Sequence, residues 1–306
     1  MQLGFVTAIL PELSLDEVLA FAAAEGFACV EPMCWPVGTA ERRFAGVTHV
    51  DVTDFSQAKA DAVLAACDRH GVALSGLGFY PNPLDPDAAV ADAAVAHLRR
   101  LIVAAPLLGL RTVNAFVGRD WQKTVDDNWP RFLATWRPLV KLAEDQGVRI
   151  GIENCPMLFT KDEWPGGKNL LTTPAIWRRA FTDIDSPSFG LNYDPSHFVI
   201  QGMDPLAPLD EFRAKLFHLH AKDVRLDARA IAEVGRFDFP NRWHQPRIPG
   251  FGEIAWGQFI GEVMRVGYDG PVCIEVEDDT FGKSLTGRKR ALRAARDVLR
   301  PFVPRD

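Results

Sequence analysis

The chain has few cysteines and no pairing pattern among them. Cys29, Cys34, Cys67, Cys155 and Cys273 are odd in number and include no Cys-x-x-Cys. Neither a disulfide framework nor a thiolate zinc cluster is implied, and a reducing compartment is expected. No apolar run approaches the roughly 18 residues of a membrane span. The opening MQLGFVTAILPELS has no basic segment, and Pro11 interrupts its apolar stretch, so a cytoplasmic protein without a signal peptide is predicted. A basic excess is missing as well. Thirty-four Lys and Arg stand against 40 Asp and Glu, a formal charge of −6, which argues against nucleic acid or an anionic membrane as partner.

What is present is enough for a large core: 306 residues, 47% hydrophobic and 24% charged, without the signature of disorder. Short apolar runs alternate with segments of helical period, each change marked by Gly, Pro or Asp. Strands are expected at Gln2–Thr7, Ala28–Glu31, Ala73–Gly78, Thr112–Phe116, Arg149–Glu153, Phe189–Tyr193, Leu216–Ala221 and Val272–Val276. Helical stretches lie between them, such as Ser14–Glu25 and Ser56–His70, the latter closed by Gly71. In Trp121–Gln146, Pro130 and Pro138 should mark a helix start or a kink. The terminal helix repeats Leu292, Ala295, Leu299 and Phe302 on one face. Eight strands, each followed by a helix, predict an α/β fold, a single (βα)8 TIM barrel spanning 1–306, in preference to an open doubly wound sheet. The amino terminus lacks the glycine-rich turn of a dinucleotide site. Long connections at Pro32–Phe55, Asn154–Leu171 and Lys222–Glu253 would leave carboxyl ends of strands, where barrel enzymes build their sites.

The later strands end in Gly-Ile-Glu153-Asn-Cys-Pro, Leu-Asn-Tyr-Asp194-Pro-Ser-His197, Phe-His218-Leu-His220-Ala-Lys222-Asp223 and Cys-Ile-Glu275-Val-Glu-Asp-Asp. Each apolar run closes on a group whose desolvation must be compensated by a cation or a partner. Glu153, Asp194, His220 and Glu275 at one barrel mouth would hold a divalent cation. With three carboxylates among four donors, Mn²⁺, Mg²⁺ or Co²⁺ suits the set better than a structural zinc.

With these residues in this order, the chain resembles the xylose isomerase-like sugar isomerase/epimerase family, which includes inosose dehydratases and type IV apurinic endonucleases. Members carry a metal-binding Glu after the fifth strand, Asp-x-x-His after the sixth, His in a His-x-Lys-Asp-like segment after the seventh, and Glu after the eighth. The matching residues are Glu153, Asp194 with His197, His220 within His220-Ala-Lys222-Asp223, and Glu275. The resemblance covers nearly the whole chain. It implies one divalent cation, Mn²⁺ first with Mg²⁺, Co²⁺ or Zn²⁺ as alternatives, and a small sugar as substrate. Glu153 and Glu275 would sit on opposite faces of the sugar as an acid/base pair. The cation stabilises the enediolate while one carboxylate removes a carbon-bound proton and the other returns it.

Further substrate contacts are expected from His197, His218, Lys222, Arg225, Trp35 and Glu31. His218 lies one layer below His220 on the same face, either as a supporting partner or as barrel packing. Arg225 resembles a sugar-contacting arginine, though its spacing is inexact. Lys222 and Asp223 are expected to form a local ion pair, with contact to substrate as the alternative. His49 in the second-strand loop is expected to pack, and Trp164, Trp243 and Trp256 fall in or beside long loops. Where the epimerases often place another glutamate, this chain has Phe159, with Glu163 nearest. The nuclease relatives need histidines after strands two and three, where this chain has Glu31 and Gly78-Phe79-Tyr80, so DNA repair is disfavoured. The run Arg288-Lys-Arg-Ala-Leu-Arg-Ala-Ala-Arg reads as the exposed face of a helix.

The leading expectation is a metal-dependent isomerase or epimerase of a ketose or keto-sugar, unphosphorylated for want of a phosphate cradle. The alternative is a lyase of the same family, either an inosose-type dehydratase or a 3-keto-glycoside-cleaving enzyme. It would need a third group to protonate the departing oxygen, for which His197, His218 and His244 are candidates. A sugar-binding barrel without turnover is a further class, and a homo-oligomer stays open.

Overall fold

The apolar runs become strands because their residues are buried on both faces, as a parallel sheet covered by helices requires. The computed structural model describes residues 1–38, 46–158, 161–164 and 166–303, without the Glu163 side chain. Its strands are β1 (Gln2–Val6), β2 (Cys29–Glu31), β3 (Ala73–Leu74), β4 (Leu77–Gly78), β5 (Thr112–Ala115), β6 (Arg149–Glu153), β7 (Phe189–Tyr193), β8 (Leu216–Ala221), β9 (Asp223–Leu226), β10 (His244–Arg247) and β11 (Pro271–Ile274). The main sheet runs β3-β2-β1-β11-β8-β7-β6-β5-β4, and its pairings are parallel. Its two ends, β3 and β4, are pieces of the single strand expected at Ala73–Gly78, interrupted at Ser75-Gly76. The sheet therefore returns on itself as an eight-stranded barrel. Across the break the ladder persists, since the Ser75 N–H donates to Val30 O at 2.9 Å and the Gly78 N–H to Pro32 O at 3.0 Å.

The helices are α1 (Leu15–Ala24), α2 (Gln57–His70), α3 (Ala88–Leu107), α4 (Val125–Asp145), α5 (Pro174–Asp183), α6 (Ser196–Gln201), α7 (Ala228–Val234), α8 (Trp256–Arg265) and α9 (Leu285–Leu299). Local chemistry sets their ends. Ser14 and Glu17 close a capping box on α1, and Gly71 ends α2 at φ 63. Thr124 caps α4, which runs through both prolines, so neither marks its start. In α9 Leu292, Ala295 and Leu299 are buried as expected, whereas Phe302 is 38% exposed. Aromatic side chains such as Phe5, Phe27, Trp136, Phe189 and Trp177 fill the space around the sheet. No described helix is long and apolar enough to cross a membrane.

The connection after β8 is not a featureless loop. It holds the antiparallel pair β9 and β10, with Asp223 opposite Arg247 and Arg225 opposite Gln245. This hairpin and the segments after β2 and β6 rise on the carboxyl side of the strands, where the expected site residues collect.

Candidate active site

Alternation along β8 determines the site. His218, His220 and Lys222 are spaced two apart and face the barrel axis, while Asp223 faces away. His218 forms the lower layer and is fully buried. Its Nδ1 lies 3.0 Å from Asn192 Oδ1 and its Nε2 3.0 Å from Ser75 Oγ, so both ring nitrogens are satisfied by neutral groups.

One layer up, His220 Nε2 lies 2.7 Å from Glu31 Oε2 and 3.2 Å from the Tyr80 hydroxyl. Tyr80 also donates to Glu31 Oε1. Room for this carboxylate comes from Gly78, where a Cβ would meet Glu31 Oε1 at 2.5 Å. Nε2 donates to Glu31 and Nδ1 has no hydrogen-bond partner, so Nδ1 is the nitrogen that would offer a lone pair to a cation, whose binding would displace its proton. Nδ1 points at 3.7 Å toward both Glu153 Oε2 and Glu275 Oε2.

Around Nδ1 stand the carboxylates of three strand ends. Glu153 ends β6, Asp194 follows β7, and Glu275 follows β11, its N–H continuing the ladder to Ala221 O at 3.2 Å. The Lys222 ammonium sits among them, 2.6 Å from Glu275 Oε2, 3.2 Å from Asp194 Oδ2, 3.2 Å from Glu277 Oε2 and 3.8 Å from Glu153 Oε1. The expected Lys222–Asp223 ion pair is therefore not formed. Asp223 instead accepts from the N–H groups of Val224, Gly250 and Ile254 and from Trp256 Nε1, anchoring the hairpin to the start of α8.

These surroundings draw in positive charge. Burial opposes ionisation of Glu153, yet Lys222, His197 and His220 hold its carboxyl well below the ordinary range. Burial likewise opposes ionisation of Asp194, but Lys222 and His197 bring it down to about 2. Burial would lower the imidazole of His220, but Glu31 and Glu153 hold it well above its usual value. Glu275 goes the other way: burial, aided by Glu153 and Glu277 against the pull of Lys222, pushes it up to about 7.

The residues fit a divalent cation. Glu153, His220 and Glu275 each offer a ligand atom within 4.8 Å of the others. Asp194 Oδ2 is buried beside this group, held by its ion contacts to Lys222 and His197, and His220 Nδ1 is buried without a hydrogen-bond partner. Three carboxylate oxygens and one imidazole form a hard, oxygen-rich donor set of the kind divalent ions take.

Above this cluster opens a cavity of about 730 Å³ whose walls include Trp35, Glu153, His197, Lys222, His244 and Glu275. His197 Nε2 lies 3.2 Å from Glu153 Oε1 and 3.1 Å from Asp194 Oδ2. Trp35 stands edge-on to Phe79, with ring centroids 4.9 Å apart. Of the expected sugar contacts, His197, Lys222 and Trp35 face the cavity and three others do not. Glu31 and His218 are fully buried beneath His220. Arg225 is exposed on the outer face of β9, because its neighbour Val224 takes the buried side of the hairpin.

His49 packs, with Nδ1 at 2.8 Å from Thr7 Oγ1 and Nε2 at 3.1 Å from Leu13 O. Trp243 and Trp256 are buried loop anchors. Phe159 lies outside the described residues, as does the side chain of Glu163. Sequence reasoning missed Tyr80, Asn192, Cys155 and Glu277. The last two lie two residues past Glu153 and Glu275, on the same face of an extended chain, and that spacing was the available signal. Tyr80 and Asn192 gave none, since their partners come from distant strands.

The chain is similar to known proteins in sequence and in fold. The YfiH protein of Bacillus subtilis (strain 168), described as uncharacterised, is 28% identical over 310 residues, covering 92% of this chain and 94% of its own. An inosose dehydratase of Lacticaseibacillus casei is 27% identical over 165 residues, 50% of this chain and 49% of the dehydratase. The structure of D-psicose 3-epimerase with D-tagatose, from Clostridium cellulolyticum H10, superposes with a TM-score of 0.69 at 18% identity, covering 99% of each chain. That of IolI protein with a zinc atom gives 0.71 at 17% identity, covering 99% of this chain and 98% of IolI. At such identities the two structures speak for the fold alone. The sequence pattern that defines the xylose isomerase-like TIM barrels matches residues 19–302, and with the closed parallel barrel this shows that the chain belongs to the xylose isomerase-like TIM barrel family.

Proposed function

We propose that the protein is a divalent-metal-dependent isomerase or epimerase of a ketose or keto-sugar. The observation that carries this reading is the convergence of Glu153, Asp194, His220 and Glu275 under one cavity, with His220 Nδ1 buried and without a hydrogen bond. These four residues would hold the cation, for which manganese is the first choice and magnesium, cobalt or zinc the alternatives. When bound, the ion polarises a carbonyl and its neighbouring hydroxyl and stabilises the negative charge of an enediolate, an effect typically worth several kcal/mol.

The protein supplies the proton chemistry. Glu153 and Glu275 have environments that push their proton affinities apart, Glu153 well below the carboxylate range and Glu275 up to about 7. A pair separated in this way suits one carboxylate that takes a carbon-bound proton and another that gives one back. Glu153 is the base in this assignment and Glu275 the acid. Lys222 Nζ holds Glu275 Oε2 at 2.6 Å, and His197 holds Glu153 Oε1 at 3.2 Å, so each carboxylate has one oxygen fixed and the other available. Trp35 offers an indole face to an unphosphorylated sugar ring.

A lyase reading is favoured by one observation besides the dehydratase relative. His244 lines the cavity with its Nδ1–H donating to Pro240 O at 2.6 Å and burial lowering its proton affinity, so its Nε2 lone pair would take up the proton removed from carbon and pass it to the departing oxygen. Deuterium incorporation from solvent into a panel of keto-sugars, with the manganese-loaded protein, tests both readings. Exchange with rearranged product supports the isomerase or epimerase, and exchange with loss of water or an alcohol supports the lyase. No exchange across the panel, with metal bound, leaves a sugar-binding barrel.

A further inference from the structure

The end of β6 presents more than Glu153. Glu153 and Cys155 are two apart on extended chain, so both face the barrel mouth, while Asn154 between them faces outward. The Asn154 side chain donates to Asp194 O at 3.0 Å and accepts from the Asp194 N–H at 2.8 Å. This clamp fixes the turn that leads into α6 and hence the height of His197. On the other side, Asn169 Nδ2 donates to Glu153 O at 2.9 Å and to Cys155 O at 2.7 Å. Next to Cys155, Met157 holds a φ of 55, which a non-glycine residue adopts at a cost. From that conformation its N–H points to Cys155 Sγ at 3.3 Å and fixes where the sulfur sits.

The result is a second cluster, Glu153, Cys155 and His197, whose ligand atoms lie within 4.8 Å of one another. His197 is 4% exposed, and its Nδ1 is buried without a hydrogen-bond partner. Glu153 belongs to both clusters through different oxygens. Its Oε2 faces His220 Nδ1 at 3.7 Å and its Oε1 faces His197 Nε2 at 3.2 Å. Both oxygens of this carboxylate thus lie against an imidazole, and Glu153 would act as the base only while the second position is empty.

We infer that Glu153, Cys155 and His197 form a second cation site, next to the first and sharing Glu153 with it. The donor set of one thiolate, one imidazole and one carboxylate selects a borderline ion such as Zn²⁺ or Co²⁺, unlike the oxygen-rich set around His220. All three residues line the cavity, so a fourth position would open toward substrate, the pattern of a catalytic zinc site rather than a closed structural one. The inference rests on the proposed function only through Glu153.

The test is a Co²⁺ titration of the metal-free full chain, read by mass spectrometric metal content and by absorption. Two ions per chain are expected, one of them giving a thiolate-to-cobalt charge-transfer band. Cys155→Ser should bind one ion without that band, His197→Gln should weaken the band, and Asp194→Asn should keep it. Saturation of the wild type at one ion without the band overturns the second site and leaves the isomerase reading standing. A band that survives in Cys155→Ser places the sulfur elsewhere and also overturns it. Failure to bind any cobalt overturns both readings together.

Discussion

Two imidazoles of the same strand, two residues apart, live under opposite conditions. In the lower layer His218 has both nitrogens satisfied by Asn192 and Ser75. In the upper layer His220 has one nitrogen bonded to Glu31 and the other left bare among carboxylates. Both are fully buried, so burial alone does not distinguish them. The difference lies in whether the hydrogen-bonding capacity is used up. A completed network adds rigidity and specifies one packing, whereas an incomplete one among charges is costly to keep and is where the proposed cation would add to stability. The upper layer is the reactive one in this reading, and the lower layer is its foundation.

The largest effect is expected from removing a proton-carrying group of the upper layer. Glu153→Gln should lower solvent-deuterium exchange into a turned-over keto-sugar by roughly 100- to 10,000-fold at saturating metal. A loss below tenfold would contradict its role as base. Next in size is the support of His220. Glu31→Gln removes a carboxylate that fixes the ring from behind, and divalent-metal affinity should fall by about 10- to 100-fold in a competition titration, with little change in fold by circular dichroism.

The lower layer should respond in the other currency, stability. His218→Phe leaves Asn192 Oδ1 without its partner and removes one of the contacts of Ser75 Oγ, and is expected to cost about 1–3 kcal/mol in urea denaturation. Metal affinity should change far less than in Glu31→Gln. If the two variants behaved alike, the distinction between the layers would fail.

The comparison extends to pH through histidines outside the mouth. Burial lowers the proton affinity of His49 and of His97, each below the ordinary 6.5. As pH falls through about 6.5, the unfolded chain takes up protons that the folded rings refuse. Stability from these groups is therefore complete at neutral pH and declines toward pH 5, by at most about 1.4 kcal/mol per pH unit and group. Urea midpoints across that range should fall less steeply for His49→Gln than for the wild type. The smallest effect is expected at Arg225, exposed on the hairpin. Arg225→Ala should stay within about 0.5 kcal/mol in stability and leave exchange unchanged.

Much of this was legible in the sequence because a parallel barrel repeats one rule. An apolar run is buried on both faces, and its last residue emerges at the mouth, so Glu153, Asp194, His220 and Glu275 could be read in order. The same alternation carried Lys222 inward, two residues past His220. Adjacency in the sequence points instead to a local pair with Asp223, with contact to substrate as the alternative. The chain continues into the ordered pair β9 and β10, which keeps the alternation going and turns Arg225 outward. The Tyr80 contacts join strands far apart in the chain, and single-sequence patterning carries no information about which distant polar groups meet.

Gly78 bears on how such a protein tolerates change. It is not among the residues that line the cavity, and its N–H only continues the ladder to Pro32 O, yet the Met33 methyl and the carboxylate of Glu31 occupy the space its side chain would fill. The aim of the His220 ring, contributed by a strand across the barrel, thus depends on an atom that is missing. In a saturation library selected for turnover, position 78 should come through as intolerant as the ligands themselves, and a survey of the cavity walls alone would not find it.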